Sequence, residues 1–136
     1  MTEETRKEKV KRITERIHGD RGFVYDVLGF GAELDPDYFE VYSQMHWGFF
    51  KEKPRHLDPK TRELIEIGLL AFKGMKHEVY THTKKALRLG ATMEEALEAF
   101  EVASIGGGAP VLMEGLYAYE ESSPIGSYNG RSFRSV

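Results

Sequence analysis

The sequence contains no cysteine. This absence excludes disulfide bonds, thiolate metal sites, thiol nucleophiles and Cys-x-x-Cys redox chemistry by the chain itself. A run of about 18 apolar residues, the minimum for a transmembrane helix, is also missing. The first twenty residues lack the apolar segment of a signal peptide. We therefore expect a cytoplasmic protein that does not enter a membrane.

Positive charge is scarce in the body of the chain. Residues 22–121 carry seventeen acidic and ten basic side chains, and the whole chain has a net charge of −3. Proteins that bind nucleic acids need a basic surface to neutralise phosphates. No nucleic-acid partner is expected.

Apolar residues recur at helical spacing, and no segment alternates with the period of a strand. Helices are predicted over residues 3–18, 22–33, 36–50, 59–72, 75–89, 92–104 and from Pro110 to near Ser122. Asp35-Pro36 and Asp58-Pro59 are typical helix starts, and Thr92 with Glu95 forms a capping box.

The length of 136 residues suits one domain. We predict an all-α, single-domain bundle of about six or seven helices over residues 1–136, with an N-terminal helical arm at 1–21 and a tail at 122–136. The arm and the aromatic helix that starts at Pro36 are too apolar for a monomer. A homo-oligomer is therefore expected, with the arm and the tail packed on neighbouring subunits.

Three ionisable side chains fall on apolar helix faces. On a projection of residues 75–89, His82 lies in the apolar stripe, and Glu78 lies at its edge one turn earlier. On the helix from Pro59, Glu63 lies on an apolar face. The opposite, solvated face of 75–89 carries His77, Thr81, Lys84, Lys85 and Arg88.

An unpaired buried charge is costly, so Glu63, Glu78 and His82 need mutual partners or a function. They could form a structural polar cluster between packed helices. They could also form an acid/base site, because a histidine beside carboxylates transfers protons near neutral pH. A metal site with these three ligands is the third interpretation. The HExxH motif is absent, since His77 and His82 stand five residues apart, and we assign no metal ligand.

Two further motifs favour packing over chemistry. The run Gly106–Gly108 lacks the frame of a phosphate loop and indicates close helix packing or a kink. The stretch MHWGFF is typical of a core or a subunit interface, although His46 within it could line a pocket.

Residues 57–119 combine a RELI helix start, an HE…H helix, ALRLGAT-EEALEA and a Gly-Pro break before the last helix. As an ordered set, these features resemble the carboxymuconolactone decarboxylase family, within the alkylhydroperoxidase-D-like superfamily. The redox branch is similar in having a glutamate, Cys-x-x-Cys and a histidine, which correspond here to Glu63, Met75, Glu78 and His82. Because Met75 and Glu78 cannot form the catalytic disulfide, the cysteine-free decarboxylase branch is the better match.

The resemblance implies a cofactor-free decarboxylase, used in aromatic-compound degradation, that acts on a small lactone or organic acid such as 4-carboxymuconolactone. In this hypothesis His82 transfers the proton and Glu78 orients it. Glu63 is a second acid whose pKa burial raises. Substrate contacts are assigned to Arg62, Met75, His46 and Trp47. A trimer or hexamer is expected, and no cofactor. The alternatives are a non-catalytic ligand-binding or assembly protein on this scaffold, or a metal-dependent enzyme that uses Glu63, Glu78 and His82.

Overall fold

The computed structural model describes residues 3–22, 24–52 and 55–123, which form helices joined by short connections and contain no strand. The all-α prediction is confirmed. The helices are α1 (Arg6–Arg21), α2 (Asp26–Leu34), α3 (Pro36–Ser43), α4 (Phe49–Glu52), α5 (Pro59–Phe72), α6 (Lys76–Arg88), α7 (Met93–Gly107) and α8 (Ala109–Ser122). A π-helical turn, Gln44–Gly48, joins α3 to α4 in one continuous helix. Within the described ranges, no helix is both long and apolar enough to cross a membrane.

Side chains cap the helix starts that the sequence predicts. The carboxylates of Asp35 and Asp58 each accept a hydrogen bond at 3.0 Å from the backbone N–H three residues later. The capping box of α7 is complete. Thr92 Oγ1 accepts from the Glu95 N–H at 3.0 Å, and the Glu95 carboxylate accepts from the Thr92 N–H at 2.9 Å. These bonds satisfy N–H groups that a helix start leaves without an intrahelical partner.

The end of α7 differs from the prediction. The sequence predicts that α7 ends near Ser104, just before the three-glycine run Gly106–Gly108. The helix instead continues through Gly107 and ends at Gly108, whose φ is 78°. A side chain at Gly107 would collide with Val111 and with the ring of Phe72. The glycine run therefore serves close helix packing, which the helix can accommodate without ending.

The chain divides into two compact units, Met1–His56 and Leu57–Val136, each with its own core. In the first unit, Ile13 and Ile17 of the N-terminal arm are fully buried against Ala32 and Trp47. The arm therefore finds its apolar partners within its own unit. The premise that the arm has no local apolar partner is therefore wrong, whereas its packing on a neighbouring subunit stays a prediction.

Two of the domain-level expectations remain open. The predicted single domain over residues 1–136 stays a prediction, since each unit has a separate core. The expected packing concerns the tail at 122–136, of which residues 124–136 lie outside the described residues.

The second unit is built by α5, α6, α7 and α8 around a shared core. Its buried apolar side chains are Ile67, Leu70, Ala71, Val79, Ala96, Phe100, Val111 and Ala118. The packing of α5 on α6 turns their facing sides inward, and the candidate site lies on these sides. On α8, Gly115 provides the space that the buried ring of Phe100 occupies.

A methyl group at Gly115 has no room, because it would collide with Phe100. We expect Gly115→Ala to lower the free energy of unfolding by about 1–3 kcal/mol. Gly106→Ala is the matched control, since nothing lies within 4 Å of the added carbon, and it should be neutral or stabilise by up to about 1 kcal/mol. Urea unfolding followed by circular dichroism measures both, and equal stabilities would contradict the packing argument.

Candidate active site

Glu63 lies on the face of α5 that packs on α6. Asp58 caps this helix and Pro59 is its first residue, so that Glu63 falls in the second turn on the same side as Ile67 and Leu70. Only 9% of Glu63 is exposed. The prediction that this carboxylate lies on an apolar face is therefore confirmed.

Both oxygens of the Glu63 carboxylate have partners on α6. His82 Nδ1 lies 2.8 Å from Oε2, and Lys85 Nζ lies 2.7 Å from Oε1. His82 and Lys85 are three residues apart, a spacing that places them on one face of the helix. The result is a cluster of three ionisable side chains between two helices, which we call the Glu63 cluster.

The Glu63 carboxylate is ionised at neutral pH. Burial raises its pKa, but the hydrogen bonds from His82 and Lys85, together with the charge of Lys85, outweigh burial and hold the pKa below the ordinary value of 4.5. The predicted raised pKa is therefore wrong. Burial alone would raise the pKa of Glu63, and the contact with Lys85 helps to reverse the direction of the shift.

The ionised carboxylate determines which ring nitrogen of His82 carries a proton. A carboxylate without a proton can only accept hydrogen bonds. The 2.8 Å contact between Nδ1 and Oε2 therefore requires a proton on Nδ1, and any proton that the imidazole gains or loses is exchanged at Nε2. Glu63 also balances the charge of the imidazolium form. This arrangement can support general acid or base chemistry at Nε2.

Glu78 does not join the Glu63 cluster. It is half-buried on α6, and among the described residues no hydrogen bond or ion pair connects its carboxylate to Glu63 or His82. The described part of the chain also contains no group of three or more histidine, aspartate or glutamate side chains that could hold a metal ion. The structure therefore does not assemble the three-ligand alternative, and the orienting role of Glu78 stays a prediction.

Lys85 is the member of the cluster that the sequence analysis missed. The sequence predicts that Lys85 lies on the solvated face of α6. A residue three positions after His82, however, lies only about 60° from it around the helix. The long side chain reaches across to Glu63, and only 17% of it is exposed. A lysine at this spacing from a histidine in an apolar stripe is the signal that could have identified it.

The substrate contacts assigned to four further residues are not tested by the structure. Arg62 donates a hydrogen bond from Nη1 to the backbone carbonyl of Leu57 at 3.1 Å. Met75 precedes the first residue of α6 and packs on the core of the second unit. His46 is exposed and Trp47 is buried, and both belong to the first unit. Their substrate contacts stay predictions.

Comparison with known proteins gives three findings. Residues 36–121 match the model of the carboxymuconolactone decarboxylase family. An uncharacterized protein of Methanocaldococcus jannaschii is 30% identical over 86 residues, which cover 63% of this chain and 78% of that protein. The crystal structure of a candidate carboxymuconolactone decarboxylase from Burkholderia xenovorans LB400 aligns with a TM-score of 0.74 at 24% identity. That alignment covers 85% of this chain and 89% of the other, and it demonstrates a shared fold.

Glu63→Gln keeps the shape of the side chain but removes the charge that pairs with Lys85. We expect the free energy of unfolding at pH 7 to fall by about 1–3 kcal/mol, because the largely buried ammonium of Lys85 loses its counter-charge. Glu66→Gln, on the polar side of α5, is the control and should change little.

The contribution of Glu63 to the free energy of unfolding should depend on pH. The folded pKa of Glu63 lies below its unfolded value, so its contribution to stability is present above about pH 4.5 and is lost as the pH falls through the folded pKa. The difference in the free energy of unfolding between wild type and Glu63→Gln should therefore become smaller at acidic pH. Urea unfolding at about pH 7 and about pH 3 measures this difference. If the difference is the same at both pH values, the claim that Glu63 is ionised in the folded protein is contradicted.

Proposed function

The chain belongs to the carboxymuconolactone decarboxylase family, and from that premise we propose that it is a cofactor-free carboxy-lyase. The proposed substrate is a small unsaturated lactone acid such as 4-carboxymuconolactone. The observation that carries the proposal is the hydrogen bond from His82 Nδ1 to the ionised, buried Glu63 at 2.8 Å. This bond makes Nε2 the atom that exchanges a proton. The absence of cysteine removes the thiol chemistry of the redox branch.

The reaction requires one proton to be delivered to carbon. The bond between the substrate carboxylate and the ring breaks, carbon dioxide leaves, and the electron pair passes into the unsaturated lactone as a dienolate. The imidazolium of His82 then gives its Nε2 proton to the carbon and becomes neutral imidazole, which regains a proton from water. A site that excludes water favours the first step, because it solvates the departing carboxylate weakly.

Glu63 takes a different role from the one that the sequence suggested. With a lowered pKa it has no proton to give at neutral pH. We therefore propose that it orients the imidazole and stabilises the imidazolium, as the aspartate of a serine-protease triad does for its histidine. The proton transfer is then assigned to His82 alone, and Arg62 remains a candidate for contact with the substrate.

His82→Ala should lower kcat for loss of 4-carboxymuconolactone by at least about 100-fold, since it removes the proton donor. The matched control is His77→Ala, which removes an exposed imidazole from the same helix and should keep wild-type activity. Absorbance of the unsaturated lactone measures turnover, and melting curves confirm that both variants fold. If His82→Ala stays active, the proton-transfer role of His82 is contradicted. If the wild type is inactive even at high enzyme concentration, 4-carboxymuconolactone is not the substrate.

We also propose that the chain forms a homo-oligomer, a trimer or a hexamer. The second unit exposes large apolar side chains on α5 and α7: Ile65, Leu69, Phe72, Val102 and Ile105, the last of them 86% exposed. A concentration of this kind is unusual on the surface of a monomer and is typical of an interface. Light scattering should give three or six times the 15.5 kDa chain mass, and a monomeric mass at micromolar concentration would contradict the proposal.

A further inference from the structure

We infer that Lys85 is a positioning residue: its ammonium holds Oε1 of Glu63, so that Oε2 accepts from His82 Nδ1 and the imidazole stays in the Nδ1–H form. The consequence for turnover rests on the function proposed above. The consequence for the imidazole does not, because it follows from the hydrogen bonds alone.

The geometry of the Glu63 cluster supports this role. Lys85 Nζ and His82 Nδ1 approach different oxygens of one carboxylate, at 2.7 Å and 2.8 Å. Both donors come from α6, so they hold a fixed spacing relative to each other, while the acceptor comes from α5. Most of each side chain is buried, and a short contact between opposite charges is stronger where water is largely excluded.

Charge explains why an ammonium suits this position. The hydrogen bond and the positive charge of Lys85 both lower the pKa of Glu63, whereas burial raises it. Without Lys85, the hydrogen bond and the charge of His82 would be left to oppose burial, and the carboxyl group would be protonated more readily. A protonated carboxyl group can donate a hydrogen bond. It would then donate to Nδ1, and the proton of the neutral imidazole would move to Nε2.

The misplaced proton would impair the proposed chemistry. In the Nε2–H form with a neutral carboxyl partner, the ring itself is neutral, and a neutral imidazole is a far weaker acid at Nε2 than the imidazolium from which the proposed proton transfer starts. The effect on the reaction therefore passes through Glu63 and His82, and Lys85 itself need not touch the substrate. This indirect route distinguishes a positioning residue from a catalytic one.

The test compares the imidazole nitrogens of four proteins by long-range ¹H–¹⁵N NMR, with His82 identified by the loss of its signals in His82→Ala. Wild type should show Nδ1 protonated and Nε2 unprotonated in the neutral ring. Lys85→Met keeps the aliphatic stem but lacks the ammonium, and it should shift both nitrogens toward the averaged values of mixed tautomers. Lys85→Arg supplies a charged donor and should restore the wild-type pattern. The control is Lys84→Met, at an exposed lysine bonded to the Tyr80 hydroxyl at 3.2 Å, and it should leave the pattern unchanged.

A kinetic measurement on the same proteins completes the test. Lys85→Met should lower kcat about tenfold while KM changes less than about twofold, because the loss affects the proton transfer and not substrate binding. If Lys85→Met fails to fold, Lys85→Gln takes its place. Its amide supplies a donor without charge, so it should also lower kcat and shift the ring nitrogens toward mixed tautomers. An unchanged Nδ1–H pattern in a folded Lys85 variant without the charge would overturn the inference. If the tautomer pattern of His82 changes in the Lys85 variants, but neither they nor the wild type turn over the lactone, the inference is upheld and the proposed function is rejected.

Discussion

A carboxylate between two packed helices must be compensated within the protein, since an unpaired charge there costs several kcal/mol. Glu63 is compensated by two side chains of α6, one at each oxygen. This requirement sets how α5 and α6 meet. A rotation of either helix by one residue, about 100°, would separate the carboxylate from both donors. The core around Ile67 and Val79 and the Glu63 cluster therefore depend on the same helix orientation.

The connection between α5 and α6 makes that orientation possible. The chain leaves α5 through Gly74, whose φ of 69° is a conformation that side chains disfavour. The Met75 N–H then bonds the Leu70 carbonyl at 3.1 Å, which satisfies a carbonyl left over at the helix end. A turn this short keeps the helices adjacent. The faces that carry Glu63 and His82 can then close on each other.

The ionisation of Glu63 shapes the chemistry available to the cluster. A carboxyl group with a raised pKa would compete with His82 as an acid, as the sequence analysis expected. The lowered pKa instead makes Glu63 a fixed acceptor, so that in the proposed reaction His82 exchanges the proton and Glu63 balances its charge. This division of roles suits the proposed proton transfer to carbon in a chain without cysteine.

Local sequence signals were enough to predict the helices and the burial of Glu63. Asp35, Asp58 and Thr92 mark helix starts through bonds to N–H groups three residues away, and apolar spacing shows which face turns inward. The partners of Glu63 were not predictable in the same way. The pairing of Lys85, the exclusion of Glu78 and the direction of the Glu63 pKa shift all depend on distances between side chains of α5 and α6. A helical projection gives the angles between residues around one helix, but it gives no distance from those residues to the side chains of a neighbouring helix.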